Sequence, residues 1–130
     1  MSAGSAGTAM TPFAAILRRC VDASPNAIGG AFADPQGEMV DSYAKTMSVH
    51  DWAVLTAHYG VVLGQLTSAF GTLHFGGPEF FIARHDRIEV IVHAVEYGYY
   101  ALLAFSEPPE IEPALERVRI AALALREEMR

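Results

Sequence analysis

His85, Glu89 and His93 repeat at four-residue intervals, a spacing that would set metal ligands in a row along a helix. The segment that holds most of them, RIEVIVHA (87–94), is β-branched and alternating, so it reads as a strand rising about 3.3 Å per residue. Positions four apart then stand roughly 13 Å from one another. One ion held about 2.1 Å from each ligand cannot span them. The three read instead as polar residues along a strand face, and no metal is expected. His50 and Asp51 open a helix and complete its cap more simply than they form a catalytic pair. Cys20 follows Ile16 by four residues on an apolar face and behaves as a small hydrophobe. A nucleophile would want a nearby base and an electropositive setting, and neither is visible. Gly29-Gly30 and Gly76-Gly77 are isolated pairs that a strand bulge or turn explains better than a phosphate cradle. Lys45 is the lone lysine and follows no glycine loop, so the chain is not itself a P-loop NTPase. No catalytic residue and no cofactor site is expected.

Composition narrows the partners. Fifteen acidic residues face nine basic ones, a net charge of −6, and the arginines are scattered in ones and twos. Phosphate backbones need a clustered basic face, so nucleic acid is not an expected partner. A chain of 130 residues that is 52% apolar supports one domain with a real core. One cysteine makes no internal disulfide, which fits a reducing compartment and a cytoplasmic location. Residues 1–10, MSAGSAGTAM, carry no signal-peptide pattern and are expected to be a disordered tail before a domain over 11–130.

The elements follow from local chemistry. Thr11 before Pro12 starts a helix, with Phe13, Ile16, Leu17 and Cys20 on one face. AIGGAFA (27–33) and EMVDSYA (38–44) flank Asp34-Pro35-Gln36-Gly37, a type I turn signature between two strands. Ser48 and Asp51 cap a long middle helix, which Gly71 and the Gly76-Gly77-Pro78 cluster should end. Three antiparallel strands follow, EFFIAR (79–84), RIEVIVHA (87–94) and YYALLAF (99–105), with apolar residues on both faces. Residues 111–129 close the chain as an amphipathic helix with Ile111, Leu115, Val118, Ala122, Leu125 and Met129 in one stripe. The order is α-β-β-α-β-β-β-α, an α+β domain.

The middle helix is the most informative element. From Trp52 to Pro78 the chain runs 27 residues without Asp, Glu, Lys or Arg. It is long enough to cross a membrane, but Thr56, His58, Gln65, Thr67 and Ser68 interrupt it and no basic cluster flanks it. A partner-covered helix is the better reading, so no membrane is expected. At 100° per residue, Trp52, Leu55, Tyr59, Val62, Leu63, Leu66 and Phe70 make a core stripe. A second strip, Ala53, Thr56, Gly60, Gly64 and Thr67, is small enough for two helix backbones to approach. The bland alternative is that the glycines accommodate a bulky neighbour within the same chain. A third strip, Val54, Ala57, His58, Val61 and Gln65, is uncharged and mildly apolar, as a partner-binding face would be. His58 there could be a pH-sensitive contact, though a satisfied interface histidine is the simpler reading.

The element order, the hairpin turn ADPQGEMV, the long uncharged middle helix and the closing amphipathic helix together resemble the roadblock/LC7 domain. The resemblance covers residues 12–129. It implies a five-stranded antiparallel sheet with the middle helix on one face and the terminal helices on the other. It further implies a homodimer or heterodimer joined through the middle helices and the Glu79–Arg84 edge, with Phe80 and Ile82 at the seam. Other roadblock proteins are possible partners. Family members bind Ras-like small GTPases or serve as scaffolds, and the bacterial MglB-like members regulate a GTPase without contributing a catalytic residue. The expected function is therefore a non-enzymatic dimeric GTPase regulator or scaffold, with Val54, His58, Val61 and Gln65 on the GTPase side. The alternative is a small-ligand sensor of profilin- or PAS-like plan, which would need a pocket with convergent polar groups. The chain departs from the family pattern at Gly76-Gly77-Pro78 and in its Tyr97, Tyr99, Tyr100 cluster.

Overall fold

A computed structural model describes residues 10–74 and 76–130; the expected tail falls, over residues 1–9, outside the described residues. Thr11 Oγ1 accepts the Ala14 amide hydrogen at 3.0 Å, Pro12 takes the first helical position, and α1 runs Pro12–Ala23. β1 (Ala27–Ala33) and β2 (Met39–Ala44) are joined by the Asp34–Gly37 turn, where the Gly37 amide donates to Asp34 O at 2.9 Å. Gly37 sits at φ +84°, which its missing Cβ permits. Asp34 Oδ1 also accepts from the amides of Gln36 and Glu38, so one carboxylate organises the whole turn.

Ser48 Oγ accepts from the Asp51 amide at 3.1 Å and starts α2 (Val49–Thr72). Gly71 does not stop this helix, contrary to expectation. It lies inside the last turn, and its carbonyl accepts the amides of Leu73 and His74. The chain leaves the helix at His74, which takes the left-handed conformation at φ +62°.

β3 (Phe80–Arg84), β4 (Glu89–Ala94) and β5 (Tyr100–Phe105) complete an antiparallel sheet in the order β2-β1-β5-β4-β3. Tyr97 and Gly98 both have positive φ, and the Tyr99 amide donates to Glu96 O at 2.9 Å. That is a type I′ turn, whose twist matches the strands it joins. The last helix, α3, spans Ile111–Glu128. Alternation along the strands divides the core in two. Ala31, Ala33, Val90, Val92, Tyr100, Leu102 and Ala104 meet α2 through Trp52, Tyr59 and Leu63. Phe32, Ile91, Ala101, Leu103 and Phe105 face the other way, against α1 and α3. The architecture is the expected one, with β2 and β3 as the two edges.

Candidate functional site

α2 is anchored to the sheet by one side only. Trp52, fully buried, donates Nε1–H to Gly30 O at 3.0 Å, and Tyr59 packs against Phe81 while its hydroxyl is hydrogen-bonded to His85 Nε2. Leu63 lies on the same buried line. Opposite this line the helix is open. Val54 is 42% exposed and Val61 61%, with His58 and Gln65 exposed beside them. The His58 ring turns back on its own helix, Nδ1 donating to Val54 O at 2.9 Å. The sequence strip Val54, Ala57, His58, Val61 and Gln65 is thus one contiguous uncharged surface. Val62, expected in the core stripe, is 37% exposed and joins that surface instead. It lies too far round the helix from Trp52 and Leu63 for the sheet to reach it.

The strip of small residues divides, and the division corrects two expectations. Thr56 is wholly buried, its Oγ1 donating to Trp52 O at 2.7 Å, so it belongs to the protomer's own core. Gly60 belongs there too. A Cβ at that position would stand 2.5 Å from Tyr100 Oη and 3.1 Å from Gly37 Cα. Gly60 therefore accommodates a bulky neighbour of its own chain. Gly64 differs, since a Cβ there meets nothing within 4 Å and the residue is exposed. Thr67 is exposed, packed beside Gly77, and Ala53 is half-buried. Of the five, Ala53, Gly64 and Thr67 remain free to meet another chain.

The β3 edge leaves two large apolar residues partly open, Phe80 at 40% and Ile82 at 37%. Both point to the α3 side of the sheet, in register with His93 and Ile91 of β4. The Phe80 ring stacks on His93 with centroids 6.2 Å apart. His85 lies off the strand in the β3–β4 turn. Glu89 and His93 are inside the protein, and Glu89 holds the exposed Arg84 guanidinium at 2.6 Å. The strand pattern places these polar residues along one face, and only the packing of α3 on that face shows that they are buried. Among the described residues no group of three or more His, Cys, Asp or Glu is placed to hold a metal ion.

Three groups titrate above their ordinary range because they are buried, among them the Tyr59 phenol, which burial alone pushes up. The Tyr100 phenol is pushed up to about 12, chiefly by burial with Asp34 adding to it, and its Oη donates to Thr56 O at 2.8 Å. The Cys20 thiol is pushed up to about 11 by burial, partly offset by Ser24 and Arg117. A thiol so protonated is a poor nucleophile.

No protein-family model matches the chain, and no curated protein sequence does. Solved structures do. MglB of Myxococcus xanthus aligns with a TM-score of 0.81 over 94% of this chain and 98% of its own, at 13% identity. The roadblock/LC7 domain from Streptomyces avermitilis gives 0.77 over 88% and 94%, at 10% identity. MglC of Myxococcus xanthus gives 0.64 over 91% and 99%, at 22% identity. At such identities the likeness concerns architecture, and the architecture is clear: the chain has the roadblock/LC7-like fold.

Proposed function

We propose that this protein is a dimeric, non-enzymatic regulator or scaffold that docks a Ras-like small GTPase on the outward face of α2. One observation carries the reading. Val54, Val61 and Val62 form an exposed apolar strip on a helix that has no charged side chain after Asp51. A contiguous uncharged face on an otherwise charged surface marks a place where another protein sits. The fold shared with MglB-like regulators supplies the kind of partner.

Dimerisation in this reading joins two copies through the β3 edge, with Phe80 and Ile82 at the seam. Ala53, Gly64 and Thr67 are the helix positions left for the partner copy. Pairing the edges also removes a free row of backbone donors and acceptors. The helix brings no arginine to a bound nucleotide. Arg84, the arginine nearest it in sequence after the charge-free run, belongs to β3 and is held by Glu89. Any stimulation of hydrolysis then comes from ordering the GTPase's own residues. The test is co-purification with a Ras-like GTPase loaded with GDP or GTP, followed by hydrolysis rates with and without this protein. Nucleotide-dependent binding that Val61→Glu abolishes supports the reading, and binding indifferent to Val61→Glu places the site elsewhere.

A further inference from the structure

The face opposite α2 carries its own unused surface. α1 and α3 pack side by side and leave a cavity of about 230 Å³ between them, lined mainly by Ile16, Cys20 and Ala23 of α1 and Ile120, Ala121 and Ala124 of α3. Arg19 and Arg117 line the same cavity. Beside it Ile120 is 55% exposed and Leu123 38%. Neither arginine has an ion-pair partner among the described residues, and neither do Glu127 and Glu128 at the far end of α3.

We propose that this α1–α3 face is a self-association surface, on which a second copy of the chain lays its own α3 antiparallel across the cavity. The charges select that occupant. Glu128 follows Arg117 by about three helical turns, so both project on the side that carries Ile120 and Ala124. Two copies of α3 running antiparallel about a two-fold axis level with Ala121–Leu123 bring Arg117 of each copy to Glu127 and Glu128 of the other. Ile120 of each then enters the cavity over the other's Ala124, where the small side chain leaves room. Each copy offers two free cations, Arg19 and Arg117, and two free carboxylates, Glu127 and Glu128, while Glu116 on the same face is already paired with Arg119, so the interface carries no net charge. A parallel arrangement would set arginine against arginine. A foreign acidic helix would meet Glu127 and Glu128, and a basic one Arg19 and Arg117. The second copy is the occupant for which both ends of the face are complementary, as an isologous contact requires. The proposal is independent of GTPase docking, since α2 lies on the other side of the sheet.

Sedimentation velocity on the full chain tests it with a charge swap. Four proteins are compared: the unmodified chain, Arg117→Glu, Glu127→Arg with Glu128→Arg, and all three changes together. Each partial reversal creates like-charge contacts and should halve the mass of the largest assembly, weakening association about tenfold or more. The combined variant should restore it. Equal masses for all four, or no recovery in the combined variant, would overturn the proposal. So would an unmodified protein with no assembly that the α3 changes remove, which leaves the groove to a foreign partner. Loss of assembly only on changing Gly64 or Val61 would point to α2 instead and equally overturn it.

Discussion

Tyr100 Oη occupies the space that a side chain at Gly60 would need, 2.5 Å from where its Cβ would be. The same hydroxyl donates to Thr56 O, one turn earlier on α2. The contact requires a residue without a Cβ at position 60, and it separates the structural glycine of the helix, Gly60, from Gly64.

Gly60→Ala should therefore destabilise the protein by about 1–3 kcal/mol through overpacking, since Tyr100 is buried and cannot swing away. Gly64→Ala, with open space around it, should gain up to about 1 kcal/mol of helix propensity within the protomer. Urea unfolding of both variants measures the difference. A matching loss at the two sites would contradict the contact described. A double-mutant cycle sharpens the point. Tyr100→Phe removes the obstructing oxygen, so Gly60→Ala should cost less in that background, with a coupling of roughly 1 kcal/mol.

Tyr100 also predicts an alkaline limit. Its phenol titrates at about 12 when folded, against an ordinary value of 10. Below pH 10 it is protonated in both states and its contribution is intact. Between pH 10 and 12 the unfolded chain has lost a proton that the folded chain keeps, so stability falls as pH rises. Unfolding midpoints across that range should fall less steeply for Tyr100→Phe than for the unmodified protein.

Glu89 is 1% exposed and its Oε2 has no hydrogen-bond partner among the described residues, where Arg84 is its charge partner. Arg84→Ala strands a buried carboxylate and should cost about 2–3 kcal/mol. Glu89→Gln removes the charge and should cost less. Equal losses in denaturant titrations would mean that the ion pair is not what tolerates the burial.

Much of this was legible in residue order. The Thr11–Pro12 start, the Asp34–Gly37 turn and the Ser48 cap are local chemistry and appear where the sequence puts them. What failed needed neighbours distant in sequence. Gly60 and Gly64 look alike in a helical wheel, and only Tyr100, forty residues on, tells them apart. Thr56 reads as a small interface residue until its hydroxyl closes on Trp52 O. Glu89 reads as a polar residue on a strand face, and its burial follows only once α3 packs beside it. Gly71 reads as a helix stop, but it lies inside the last turn of α2 and is not among the glycines with positive φ.

Docking on α2 is the central claim, and Val61 gives the most direct measurement. Ras-like GTPases encoded in the same genome would be purified, loaded with GDP or a non-hydrolysable GTP analogue, and titrated calorimetrically against this protein and its Val61→Glu variant. Val61 is 61% exposed, so the variant should fold with stability changed by no more than about 0.5 kcal/mol, and its assembly state can be verified by sedimentation. The account predicts one GTPase that binds with a preference for one nucleotide state and loses at least about tenfold in affinity to Val61→Glu, because the new carboxylate is buried without a partner. A GTPase that binds the variant as tightly as the unmodified protein, or no binding by any of them, would contradict it.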